Sequence, residues 1–235
     1  MTSTEDGPKR LYRILDFTRV VQIFERGELY FANPSKWDDP YERRISHSRS
    51  HALFAQCWCQ LGISDAMWRI YSQNGMGVRI STTDKKLNAA VKTFVRDKGY
   101  RFRLGEVDYK SQADLNFEAR KIAAELRENF KIKRAVDILY MKREAFRHES
   151  EWRATIFCPD EKRVNAKDGI AVKIDPHKLI DRILLDPRAP GELVDAFKFY
   201  FEKKLGFKGT VIRSVLYKSP KPLEVDDEFI TVEDL

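Results

Sequence analysis

The chain has 235 residues, 43% of them apolar and 34% charged, and a formal net charge of +7. No apolar run approaches the roughly 20 residues that a membrane-spanning helix needs, and the opening MTSTEDGPKR lacks the apolar centre of a leader, so the expected compartment is the cytoplasm. The positive balance favours nucleic acid, nucleotides or other phosphate-bearing partners, but the charges are interleaved and no zinc finger, P-loop or RNP-like strand is present, which argues against a dedicated sequence-specific DNA binder.

Residues 1–10 read as a disordered N-terminus, and 11–235 as one α+β domain. Leu11 to Leu15 is a short strand. Asp16 is placed to cap a helix over 18–26, which Gly27 ends in the position a left-handed cap wants. Leu29 to Phe31 is a second strand, and Asn33 to Pro40 is a loop of turn formers. His51 to Cys59 is a strand apolar enough to be central. Ser64 caps a helix over 65–73; a turn over 74–77 and a strand over 78–81 follow. The apolar spacing of Leu87, Ala90, Val91, Phe94 and Val95 predicts an amphipathic helix over 83–98.

Arg103 to Tyr109 reads as one strand, and 114–141 as a long charged helical region broken near Lys131. Strands are expected over 151–157, 170–174 and 180–185. Pro190 opens a helix to Leu205 that stops at Gly206, and 209–216 is a last strand. Many short strands among capped helices, without regular βαβ alternation, predict an α+β fold with mixed or antiparallel central sheets flanked by helices.

Three clusters carry candidate chemistry. In KREAFRHESEWR (142–153), an extended backbone from Glu149 puts Glu149, Glu151 and Arg153 on one face and Trp152 and Ala154 on the other. Such a row suits a cleft wall, or else a solvated face with a local ion pair. Trp37-Asp38-Asp39-Pro40-Tyr41-Glu42 places three carboxylates and two aromatics in one loop. There Asp39 holds a ligand group or simply turns the chain. Trp68 and Tyr71 share a helix face, the usual arrangement of core residues, and Gly75 and Gly77 after them allow a tight turn and close backbone approach. The four histidines show no metal spacing, and only His148, beside Glu149, is of interest. Cys57 and Cys59 fall on one strand face and make a poor disulfide. With Cys158 they lack a zinc spacing and read as buried thiols.

The order of these motifs resembles a bacterial and phage family catalogued as domain of unknown function 2971. An LYR-like strand comes first. Gly27 to Glu42 follows the pattern G-x-LYF-xx-P-xx-F-N-D-P-F-E, with Trp37-Asp38 standing where the pattern has Phe-Asn. Met67, Trp68, Tyr71 and Gly77 match M-W-xx-Y-xxxxx-G. Val107 and Tyr109 match V-x-Y, and Lys142, Glu149, Glu151 and Arg153 match K-xxxxxx-E-x-E-x-R. The resemblance runs from about Leu11 to Leu205.

A second resemblance, to ADP-ribosyltransferases, rests on Arg13 in an early strand, Tyr71 and Ser81-Thr82 in the middle, and Glu149-Ser150-Glu151 late in the chain. It implies an enzyme that uses NAD to modify a protein or nucleic-acid acceptor, in a toxin or phage-defence type of role. Glu151 would stabilise the developing cation and Glu149 would orient or deprotonate the acceptor. Tyr12, Arg13, Asp39, Trp68, Tyr71, Gly77 and Ser81 would bind the cofactor, with Arg13 on the pyrophosphate and no metal involved. Two other readings remain open. One is a metal-dependent nuclease using Asp39, Glu149 and Glu151. The other is a non-catalytic nucleotide or nucleic-acid binding module.

Overall fold

The computed structural model describes residues 7–159 and 168–222. Most of the expected N-terminal tail, residues 1–6, lies outside the described residues, and Arg10 already begins the first strand. The architecture is α+β. Strand β1 (Arg10–Asp16) runs into helix α1 (Phe17–Arg26), which buries Val20, Ile23 and Phe24 along one stripe. Gly27 ends that helix with φ 61, and its N–H donates back to the carbonyl of Ile23. Strand β2 (Glu28–Ala32), a loop and strand β3 (Leu53–Cys59) follow. Helix α2 (Asp65–Tyr71) is capped by the Ser64 hydroxyl, and helix α3 (Asp84–Lys98), after strand β4 (Gly77–Thr83), by the Thr83 hydroxyl.

The expected strand over 103–109 is two strands in different sheets. Strand β5 (Arg101–Glu106) pairs with β8 (Glu151–Phe157), whereas β6 (Asp108–Lys110) pairs in parallel with β7 (Met141–Arg143). The break falls at Val107, whose N–H donates to the carbonyl of Glu151 at 2.9 Å and turns the chain out of the first sheet. The long helical region breaks as expected, into α4 (Gln112–Glu128) and α5 (Ile132–Asp137). Its last residue, Met141, opens β7 instead of ending a helix. Strand β9 (Gly169–Lys173), the short helix α6 (Pro176–Leu179), β10 (Arg182–Leu185), α7 (Gly191–Phe199) and β11 (Thr210–Arg213) complete the described fold. Five π-helical residues extend α7 before Gly206, which has φ 65.

The main sheet has nine strands in the order β11-β10-β4-β1-β3-β2-β9, with β8 and β5 branching from β3. β3 is the branch point. It pairs along its whole length with β8, but meets β1 only at Tyr12↔Cys59 and β2 only at Ala32↔Ala55. Strands joined at one rung diverge on either side of it. A run of apolar residues, as in β3, is what a strand covered on both faces requires. The larger core cluster takes in Leu11, Leu29, Phe54, Ile80 and Ile156. A smaller one, under α4 and α5, is built on Leu53, Ile122, Leu139 and Tyr140.

Gly77 opens β4 at a crowded corner. Its N–H donates to the Ser72 hydroxyl oxygen at 2.8 Å, the Ser72 hydroxyl donates to the buried carboxylate of Asp186, and Arg188 bridges Asp186 and the Ser72 carbonyl. A Cβ at residue 77 would collide with the Ser72 side chain. Gly77→Ala is therefore expected to cost about 1–3 kcal/mol, as overpacking does. Urea unfolding would show it as a lower midpoint at unchanged slope.

Candidate active site

The cleft opens where β3 parts from β1 and β2. It is lined by 12–15 of β1, Tyr30 and Ala32 of β2 and 55–59 of β3, with Trp37, Trp68, Tyr71, Arg79, Glu149 and Glu151 completing its walls. Strand divergence leaves a wall of backbone and side chains that no neighbouring strand covers.

One end of the cleft is a buried ion cluster. Arg153, fully buried on β8, donates from Nε to Glu151 Oε1 at 2.6 Å and from Nη2 to Glu151 Oε2 at 2.9 Å. The same guanidinium donates to the Glu42 carboxylate and to the carbonyl of Leu139, and lies 4.5 Å over the Trp37 ring. Lys142 of β7 donates to Glu149 Oε2 at 2.6 Å and to Glu151 Oε2 at 3.1 Å, with Glu42 at 3.9 Å. Three carboxylates thus face two cations.

Burial alone would raise the Glu151 carboxyl, but the charge and hydrogen bonds of Arg153, then Lys142, outweigh it and hold the group at about 2. Burial likewise would lower Lys142, yet Glu151, Glu42 and Glu149 together push it up. At Glu42 burial prevails over Arg153 and Lys142, and the carboxyl is raised. Burial, then the charge of Glu151, pushes up the Cys57 thiol, and burial raises Tyr109, whose phenol oxygen accepts the Glu151 N–H at 2.8 Å, to about 12.

The cleft is also lined by cationic and aromatic side chains. Arg13 is half-buried, and its guanidinium has no hydrogen bond or ion pair with any described residue. Burial lowers its pKa, with Cys57 and Tyr71 the neighbours that act on it, but a guanidinium keeps its charge. Arg79 lies 4.6 Å over the Tyr12 ring and 6.0 Å from that of Trp68. It donates to the carbonyl of Gly62 and has no carboxylate partner among the described residues. Its Nε is buried without an acceptor. Tyr71, 44% exposed, faces the cleft, and its phenol is raised by burial and then by Glu149.

Of the residues singled out in the sequence, Tyr12, Arg13, Trp68, Tyr71, Glu149 and Glu151 line this cleft; Gly77, Ser81 and Asp39 do not. Gly77 serves the Ser72 corner. Ser81 is buried in β4 against β10, donating to the Arg182 carbonyl at 3.2 Å. Asp39 turns its loop by accepting from the Tyr41 N–H at 3.0 Å, and pairs with Arg143 at 3.2 Å. Among the described residues no group of three His, Cys, Asp or Glu side chains is placed to hold a metal ion, so Asp39, Glu149 and Glu151 do not form the proposed metal triad. His148 is exposed, against the carbonyl of Ala145. Sequence reasoning missed Arg79; it placed Glu42 in a candidate loop without giving it a role, and read Cys57 only as a buried thiol. Arg79 had a signal: a lone charge inside an apolar strand.

Residues 67–154, from α2 into β8, match the family model described as Protein of unknown function (DUF2971). That stretch contains Trp68, Tyr71, Lys142, Glu149, Glu151 and Arg153. No curated protein matches the chain. Among solved structures, DarT of Thermus sp. 2.9 in complex with NAD+ is similar at a TM-score of 0.43 and 11% identity, over 90% of this chain and 98% of that one. Its complex with ADP-ribosylated ssDNA gives 0.43 at 10% identity, over 91% and 98%, and its complex with carba-NAD+ gives 0.39 at 11%, over 89% and 97%. No helix among the described residues is long and apolar enough to cross a membrane.

The depressed Glu151 carboxyl sets a pH dependence of stability. Its contribution is fully present above the unfolded value near 4.5 and is lost as pH falls through about 2. Glu42, raised by burial and in part by Glu151 itself, works in the opposite direction, so the difference between wild type and Glu151→Gln reports Glu151 together with its coupling to Glu42. Denaturant titrations between about pH 5 and pH 2 are expected to show wild type losing on the order of 3 kcal/mol more than the variant.

Proposed function

We propose that the cleft binds NAD as a substrate and that the protein transfers ADP-ribose from it to a nucleophilic acceptor. The observation that carries this reading is Arg13: a half-buried guanidinium with no partner among the described residues, in the same cleft as a carboxylate pair. A desolvated, unpaired cation in a cleft asks for an anionic ligand. Arg79 supplies a second cation without a carboxylate, so the cleft offers two positions for a ligand with two phosphates. Tyr12, Trp37 and Tyr71 offer aromatic surface for its rings.

In the transfer, the bond from the sugar to the nicotinamide nitrogen breaks and its electron pair leaves with nicotinamide. The acceptor forms the new bond to the sugar, and its proton passes to a carboxylate of the site and then to water. The residues of this chain bind the phosphates, cover the rings and place negative charge where the sugar becomes positive.

A second reading, a nucleotide-binding module without turnover, is favoured by the full set of partners on Glu151. Retained NAD affinity with no nicotinamide release would select it. Thermal-shift titration with NAD and ADP-ribose, alongside an assay of nicotinamide release with protein and nucleic-acid acceptors, tests the proposal. NAD is expected to raise the melting temperature, and Arg13→Ala to weaken binding by about tenfold to a hundredfold, the range of one charge-assisted contact. A wild type that neither binds NAD nor releases nicotinamide with any acceptor overturns it.

A further inference from the structure

We infer that Glu149, and not Glu151, is the carboxylate that touches the sugar of the substrate, and that Glu151 is the counter-ion of the buried cluster. This rests on the reading of the cleft as an NAD site. A carboxylate offers about four lone-pair positions. At Glu151 three of these are taken by Arg153 Nε, Arg153 Nη2 and Lys142 Nζ, and the Cys57 thiol is a neighbour that acts on the same group. It is 4% exposed, and Arg153, which holds it from two sides, is itself fully buried. A substrate hydroxyl reaching Glu151 would have to displace one of these donors and leave a buried cation short of a partner.

Glu149 is arranged differently. Its Oε2 accepts from Lys142, and its Oε1 has no hydrogen bond to a described residue. It lines the cleft and acts on the Tyr71 phenol more strongly than any other charge. Its position comes from Ser150, which takes the left-handed conformation at φ 41, uncommon for a residue with a side chain. On a continuous strand Glu149 and Glu151 would stand two residues apart on one face. The Ser150 turn instead brings both onto the one ammonium of Lys142, and leaves one of Glu149's oxygens open. Backbone strain of this kind is held in place by its surroundings, here the Gln60 N–H on the Ser150 carbonyl and the Ser150 N–H on that of Arg147.

The test compares Glu149→Gln with Glu151→Gln in steady-state NAD consumption, each well below its own melting temperature, with NAD binding measured by calorimetry. Glu149→Gln is expected to lower kcat by ~10²–10³ with KM and NAD affinity little changed and the melting temperature near wild type. Glu151→Gln is expected to melt earlier and lose less than about tenfold in kcat while folded. If Glu151→Gln does not fold, Glu151→Leu combined with Arg153→Leu removes the pair together and is expected to keep measurable turnover. A folded, NAD-binding Glu151 variant as inactive as Glu149→Gln, or a Glu149→Gln of wild-type kcat, overturns the inference and leaves the functional reading standing. A wild type inert towards NAD overturns the functional reading itself.

Discussion

The burial of Arg153 is the constraint around which the cleft is organised. A guanidinium removed wholly from water costs several kcal/mol unless its donors are met and its charge is balanced. Four residues from three elements meet that demand. Glu42 comes from the loop after β2, Leu139 from the turn after α5, Glu151 from β8, and the Trp37 ring from the same loop as Glu42. The loop after β2 is thereby tied to β8, and the ion cluster stays at the end of the cleft. Lys142 extends the network to Glu149, so the position of β7 also answers to it. The small sheet of β6 and β7 exists to hold that lysine against the main sheet. Tyr109 of β6 accepts the N–H that opens β8, which fixes the two sheets to each other at the same point.

The second constraint is topological. β3 cannot pair fully with β1, β2 and β8 at once, since a strand has two edges. It gives its length to β8 and single rungs to the other two. The gap that results is where Arg13, Cys57 and Tyr71 come near each other. The cleft holds Glu149 and Glu151, which are bound to Lys142 and Arg153, together with Arg13 and Arg79, which have no carboxylate partner among the described residues.

Much of the secondary structure could be read from the residues, because its signals are local. Ser64 caps its helix as expected, and Gly27 and Gly206 end helical segments with positive φ, whereas Asp16 stands at the start of α1 without a side-chain cap bond. The apolar run of β3 announced a central strand, and the break between α4 and α5 followed the polar stretch near Lys131. The acid-acid-base row at 149–153 suited either a cleft wall or a solvated face with a local ion pair; Glu149 and Glu151 line the cleft, whereas Arg153 is fully buried and pairs with Glu151.

What the residues could not specify was pairing at long range. Nothing near Glu42 in the chain indicates Arg153, more than a hundred residues on, and nothing near Arg79 indicates that it would stack on Tyr12 in the neighbouring strand. The Val107 break came from a hydrogen bond to β8, and the Ser150 turn from partners at Gln60 and Arg147; both override a strand pattern that reads as continuous. The sequence by itself determined the helices, most strands and the residues able to carry charge into a cleft, because caps, glycines and apolar spacing act over a few residues. Only the tertiary structure decided which charges are spent on one another and which are left open, because a buried ion pair depends on how distant strands meet.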